Sequence, residues 1–106
     1  MTATDISNHK DLWKLVFVNL VLSLAGRISK SVRGITIGFD GETIRLVVFF
    51  DTPPSESDIE DMRDVEAELV SHHEYQSDLV FSVVPVSESL IEKVDNWGWI
   101  FLRREE

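Results

Sequence analysis

The sequence predicts an α+β domain of order α-β-β-α-β-β, with a four-stranded, mostly antiparallel sheet and its helices packed on one face. Three observations carry that expectation. Two alternating apolar runs flank Asp40-Gly41, the pattern of a tight hairpin. Two stretches, 5–26 and the one opening at Ser55, repeat apolar residues at helical spacing. Strands then occur as neighbours rather than in strict alternation with helices, which favours a layer of helices against an antiparallel sheet.

Residues 5–26 read as the first helix. Asp5, Ser7 or Asn8 can cap its start, and Gly26 suits the left-handed position just past its end. Leu12, Leu15, Val16, Asn19, Leu20, Ser23 and Leu24 follow i, i+3, i+4 spacing. Trp13, Phe17, Val18, Val21 and Leu22 add apolar surface on other sides. That is more than a one-faced helix requires. Two explanations stand side by side: a helix held in a deep groove, or a helix that keeps part of its surface for a partner or a second copy.

The hairpin spans Arg33–Phe50. A type I′ turn at Asp40-Gly41 would set Phe39 opposite Glu42, Ile37 opposite Ile44, Ile35 opposite Leu46 and Arg33 opposite Val48. One face then holds Ile35, Ile37, Phe39, Ile44, Leu46, Val48 and Phe50. The other holds Gly34, Thr36, Gly38, Thr43, Arg45, Val47 and Phe49. A one-residue slip would exchange the faces. Pro53-Pro54 stops the second strand.

Ser55 with Asp58 three residues on forms a capping-box pattern for the second helix. Ile59, Met62, Val65, Leu69 and Val70 make its apolar stripe. Glu56, Glu60, Asp61, Asp64, Glu66 and Glu68 fill much of the rest, with Arg63 the only base. Leu79–Val86 reads as a third strand ending at Pro85. Residues 87–96 are polar, with a short helical turn around Leu90, Ile91 and Val94. Trp97–Arg104 reads as a fourth strand with Trp97, Trp99, Phe101 and Arg103 on one face.

A length of 106 residues fits a single domain, 1–106. With no cysteine, disulfides, thiolate nucleophiles and cysteine metal sites are excluded. The start lacks the pattern of a signal peptide, and the apolar stretch 12–25 is shorter than a membrane span. The expected location is the cytoplasm. Net charge is −9 and is distributed unevenly. Residues 1–50 carry six Lys/Arg against four Asp/Glu, whereas 51–106 carry four against fifteen. Such a field repels nucleic acid and membrane surfaces and attracts basic partners.

No residue set forms a catalytic pattern. His72-His73-Glu74 point in different directions near a helix end and lack a third ligand at sensible spacing. Gly34, Gly38 and Gly41 alternate along a strand and enter a turn, which is not a phosphate loop. No cofactor and no metal are expected, and enzyme activity is not expected. Trp97 and Trp99 have two readings: sheet packing, or an aromatic anchor for a partner.

The run FDGETIRLVVFFDTPPSESDIED, the acidic amphipathic helix after it and the ending WGWIFLRREE resemble a group of small bacterial proteins. These are the immunity proteins of contact-dependent growth inhibition and related toxin systems. They share a leading helix, an F-D-G hairpin, a P-[ST]-x-x-D helix start and a last strand closing in L-R-[RK]-E. The resemblance covers most of the chain from about Val32. It implies a protein that binds and blocks a toxin domain, often a nuclease, delivered by a neighbouring cell. An acidic inhibitor can fill the basic cleft of such a toxin. The expected partner is thus a basic toxin domain, met by Glu56, Glu60, Asp61, Asp64 and Glu68, with Trp97 and Trp99 as further contacts. The alternative is a homodimeric structural or regulatory module using the first helix or the Trp97/Trp99 strand.

Overall fold

The computed structural model describes residues 2–72 and 75–105, with side chains for 11–71 and 75–105. Its elements are α1 (Thr2–Leu24), β1 (Val32–Phe39), β2 (Thr43–Phe50), α2 (Glu56–His72), β3 (Gln76–Val83) and β4 (Trp99–Leu102). A short 3₁₀ turn, Ile91–Lys93, precedes β4. The class and element order are as the sequence predicts. The sheet, in order β3-β2-β1-β4, is mixed rather than mostly antiparallel, because β2 and β3 run parallel.

The reason lies in α2. Its 17 residues span about 25 Å at 1.5 Å per residue. The 8 residues of β2 span about 26 Å. The helix therefore returns the chain to the end where β2 began, and β3 must start in the same direction. The third strand accordingly begins at Gln76 and ends at Val83, earlier than Leu79–Val86.

The hairpin faces are as expected, but its register is not. Ile37 pairs with Leu46, Ile35 with Val48 and Phe39 with Ile44, a shift of two residues. Asp40 does not adopt the positive φ that a type I′ turn would need there; only Gly41 does, at +98°. The Asp40 carboxylate instead accepts hydrogen bonds from the amides of Glu42 (2.9 Å) and Thr43 (2.8 Å), while the Asp40 amide donates to the Thr43 carbonyl. The turn is centred one residue later. An even shift preserves the side-chain faces, since strands alternate with period two.

A bulge at Arg33 separates the pairs Val32↔Phe50 and Gly34↔Phe49. It leaves Val32 and Ile35 in the core while Arg33 and Gly34 address the opposite face. The core itself lies between sheet and helices. Leu12, Val16, Leu20 and Leu24 of α1, and Met62, Val65 and Leu69 of α2, close over Ile35, Ile37, Phe39, Ile44, Leu46, Val48 and Phe50. Ile59 is half-buried and Val70 exposed at the margins of the α2 stripe. The capping box forms in both directions: Ser55 Oγ accepts from the Asp58 amide, and Asp58 Oδ2 accepts from the Ser55 amide, each at 3.1 Å. Helix α1 already starts at Thr2, so Asp5, Ser7 and Asn8 lie within it and do not cap it; their side chains fall outside the described residues. Gly26 has φ +78° just past its end.

The other face is crossed by residues 84–98. Their apolar contact is small: Val84 and Leu90 pack on Phe49, with Val47 and Trp99 alongside. Polar ties do the rest. The Thr36 hydroxyl accepts from the Asp95 amide and donates to the Gly98 carbonyl, both at 2.8 Å. Asn96 completes the ladder at Phe39, donating to its carbonyl and accepting from its amide. The Asp95 carboxylate lies on Gly38, where a Cβ would sit 2.1 Å from it. It takes a two-point contact from Arg45, at 2.9 and 3.1 Å. These hydrogen bonds hold the carboxyl of Asp95 below its ordinary range.

The last strand departs from the expected alternation. Its pairing with β1 shifts between Ile35↔Phe101 and Thr36↔Trp99, so a bulge intervenes. Trp97 packs at a tilt against Phe39 in the helix-side core at 4.9 Å, while Trp99 meets Phe49 on the opposite side at 5.8 Å. The two tryptophans thus sit on opposite faces, not one.

Candidate protein-binding surface

The outer layer of the molecule is formed by α1 and α2 side by side. On α2 the capping box and the buried stripe fix the helix rotation. Glu56, Glu60 and Asp64 are left exposed and Asp61 half-buried. Glu68 differs from its neighbours. It lies 2.9 Å from Arg27 and accepts a hydrogen bond from Ser23, both at the end of α1. This contact, with added attraction from Asp64 and Asp61, raises the Arg27 guanidinium above its ordinary pKa. The acidic ridge of α2 therefore borders α1. Glu66 takes its own partner on the other flank, the hydroxyl of Ser77.

Helix α1 buries Leu12, Val16, Leu20 and Leu24, four residues apart. On its outer side Leu15, Val18 and Leu22, three and then four residues apart, are exposed, the last at 70 %, with Val21 beside them at 47 %. One side of the helix is thus held in the groove, and the other stays exposed. Trp13 and Phe17 stack on each other at 5.2 Å, and the Trp13 indole donates to the Trp97 carbonyl. At the C-terminal end of α1, Val21, Leu24, Ala25, Gly26, Ile28, Ile100 and Phe101 line an apolar groove of about 300 Å³.

The sheet side opposite the helices offers less. Thr36 and Phe49 are buried under residues 84–98, and Arg45 is engaged by Asp95 and Asp40. Arg33 is buried and fully committed. Its Nη1 donates to the carbonyls of Val84, Pro85 and Glu88, and Nε and Nη2 grip Glu105 at 2.7 Å each. Arg103 reaches Asp51, Glu105 and the Lys30 carbonyl. Arg33, joined by Arg103, holds the Glu105 carboxyl at about 2 instead of 4.5. The closing L-R-R-E is therefore a clasp for the chain's end.

Sequence reasoning missed this clasp and the 84–98 crossing. One signal was available: glycines inside a strand often mark close approach of another segment, and Gly34 and Gly38 do so under Trp99 and Asp95. Among the described residues, no group of three or more His, Asp or Glu could hold a metal. His73 and Glu74, weighed above as ligands, lie outside the described residues. No helix among the described residues is long and apolar enough to cross a membrane.

An acidic ridge beside an outward apolar stripe offers carboxylates able to accept from basic groups and apolar side chains that would lose water on contact. The model of the MafI2 immunity protein family matches residues 14–105, a span that takes in the C-terminal half of α1, all of α2, the whole sheet and the clasp. The chain belongs to that family. It is a bacterial immunity protein, and its partner is a toxin. No curated protein matches the chain.

Proposed function

We propose that the protein works in the cytoplasm by binding directly to a nuclease toxin and laying the acidic ridge of α2 against its phosphate-binding cleft. The observation that carries this reading is the exposure of Glu56, Glu60 and Asp64, with Asp61 beside them, on a helix whose apolar side is already spent on the core. A nuclease must hold phosphates with lysine and arginine. Carboxylates on a rigid helix accept charge-assisted hydrogen bonds from those side chains. Their field also speeds the encounter, which matters for a toxin delivered without warning. Glu68 acts at the edge of this surface while tied to Arg27. Trp97 and Trp99 support the sheet behind it.

The test is binding kinetics of the isolated toxic domain with wild type and with the Glu60→Lys, Asp61→Lys, Asp64→Lys triple variant. Association at low salt should slow by about tenfold or more, and the difference should shrink at high salt as screening rises. Equal kinetics at both salts would remove α2 from the interface.

A further inference from the structure

The acidic ridge accounts for charge but leaves the outer side of α1 unexplained. Leu15, Val18, Val21 and Leu22 are all large, apolar and about half exposed or more. Isolated exposed apolar residues are ordinary, but a contiguous row is a mark of an interaction surface. The row runs toward the groove at the end of α1. Val21 belongs to both. Ile100 and Phe101 of β4 line one side of the groove and Ile28 of the α1–β1 connector joins them, all three packed against the main core. Its mouth is open at Gly26, where an added Cβ would meet nothing within 4 Å.

We propose that this row and groove form the apolar centre of the toxin interface, and that the toxin fills the groove with a large apolar side chain flanked by basic residues. The proposal rests on the reading of the acidic ridge given above and adds what lies beside it. Continuity supports it: Ser23 and Arg27, at the end of the apolar row, are the residues that hold Glu68 of the ridge. Charge selects the occupant. Asp61, Asp64 and Glu68 all act electrostatically on Arg27, so the ridge lies within reach of the row. A second copy packed on the row would bring two such ridges together on chains of net charge −9. A basic toxin relieves the same repulsion. Interfaces of this construction have an apolar centre and a charged rim, and their affinity concentrates in a few central anchors seated in pockets.

The experiment uses the intact chain and two readouts. The first is growth of cells producing the toxin together with wild type, Ala25→Trp, Leu22→Lys or the α2 triple variant. Ala25 is exposed at the groove, so a tryptophan there fills it from outside without entering the core. Circular dichroism and thermal melting confirm that each variant is folded, with Val21→Glu held as a second groove variant. Loss of protection by Ala25→Trp and Leu22→Lys, with dissociation of the toxic domain at least about tenfold faster, is the expected result. Protection retained by both, while the α2 triple variant fails, overturns this proposal and leaves the ridge reading intact. Loss in both Ala25→Trp and Leu22→Lys with an unaffected triple variant supports the row and groove and removes the ridge. The second readout is sedimentation equilibrium. A monomer at all concentrations is expected; a dimer that Leu22→Lys dissolves would assign the row to a second copy and overturn the proposal.

Discussion

The two faces of one sheet are closed in different ways. The helix side is covered by α1 and α2, and its closure is apolar packing at helical spacing. The far side is covered by residues 84–98, and its closure is a set of polar ties with a small apolar patch at Phe49, Val84 and Leu90. Packing against helices buries area and is insensitive to the placement of any single hydrogen bond. A crossing segment with little apolar area must satisfy its own backbone. It does so here by adding partners to β1: Asn96 at Phe39, Gly98 and Trp97 at Ile37, and Thr36 at both ends. The first kind of closure should give most of the stability, and the second should be the more easily disturbed by chemistry.

The largest expected effect tests the helix side. Phe50 is fully buried between sheet and helices. Phe50→Ala should cost about 3–5 kcal/mol, from lost transfer energy and the cavity left behind. Urea unfolding with an unchanged m-value is the measurement. A loss below about 1 kcal/mol would mean that this side relaxes as readily as the other.

A smaller effect separates the far side. Gly38→Ala places a methyl against the Asp95 carboxylate, which must move and release Arg45. The expected cost is about 1–3 kcal/mol, the range for disturbing a partly buried polar network. The diagnostic is a double-mutant cycle. If the cost is the displaced carboxylate, Gly38→Ala should be much less harmful in an Asp95→Ala background. Additive costs would point to the strand backbone instead.

The same division explains what could be read from the residues alone. The helix side follows period rules. Ile35, Ile37, Leu46, Met62, Val65 and Leu69 were legible as core because alternation and helical spacing mark them. The Ser55/Asp58 box was legible because capping is a local interaction. The hairpin register was not, since a two-residue shift leaves every face unchanged and so leaves no trace in the pattern. The parallel β2–β3 pair was not legible either, because strand order depends on where α2 delivers the chain. The opposed placement of Trp97 and Trp99 comes from a bulge, which breaks alternation without a local sequence mark. As for the candidate surface, the acid content of α2 was plain. That Glu68 is held by Arg27, and that α1 keeps Leu15, Val18 and Leu22 outward, required the packing of the two helices.

The smallest expected effect concerns pH, and it should fall on the far side alone. Glu105 has its pKa drawn from 4.5 to about 2 by Arg33 and Arg103. Arg33 in turn holds the carbonyls of Val84, Pro85 and Glu88, where the crossing segment begins. A carboxyl whose folded pKa is depressed binds fewer protons folded than unfolded between the two values. Its stabilising contribution is therefore complete above about pH 4.5 and is lost as pH falls from there toward about 2. Asp95 is shifted in the same direction by Arg45, so acid loosens both ends of the crossing segment. Glu105→Gln should lower stability at neutral pH only modestly, because partly exposed ion pairs are screened. Its deficit relative to wild type should close as pH drops through that window. Hydrogen exchange gives the local readout. Below pH 4.5 the amides of Asp95 and Trp97, bonded to Thr36 and Ile37, should lose protection before those of Val16 or Val65. Equal loss on both faces would show that the clasp at Glu105 stabilises the whole fold rather than the segment it touches.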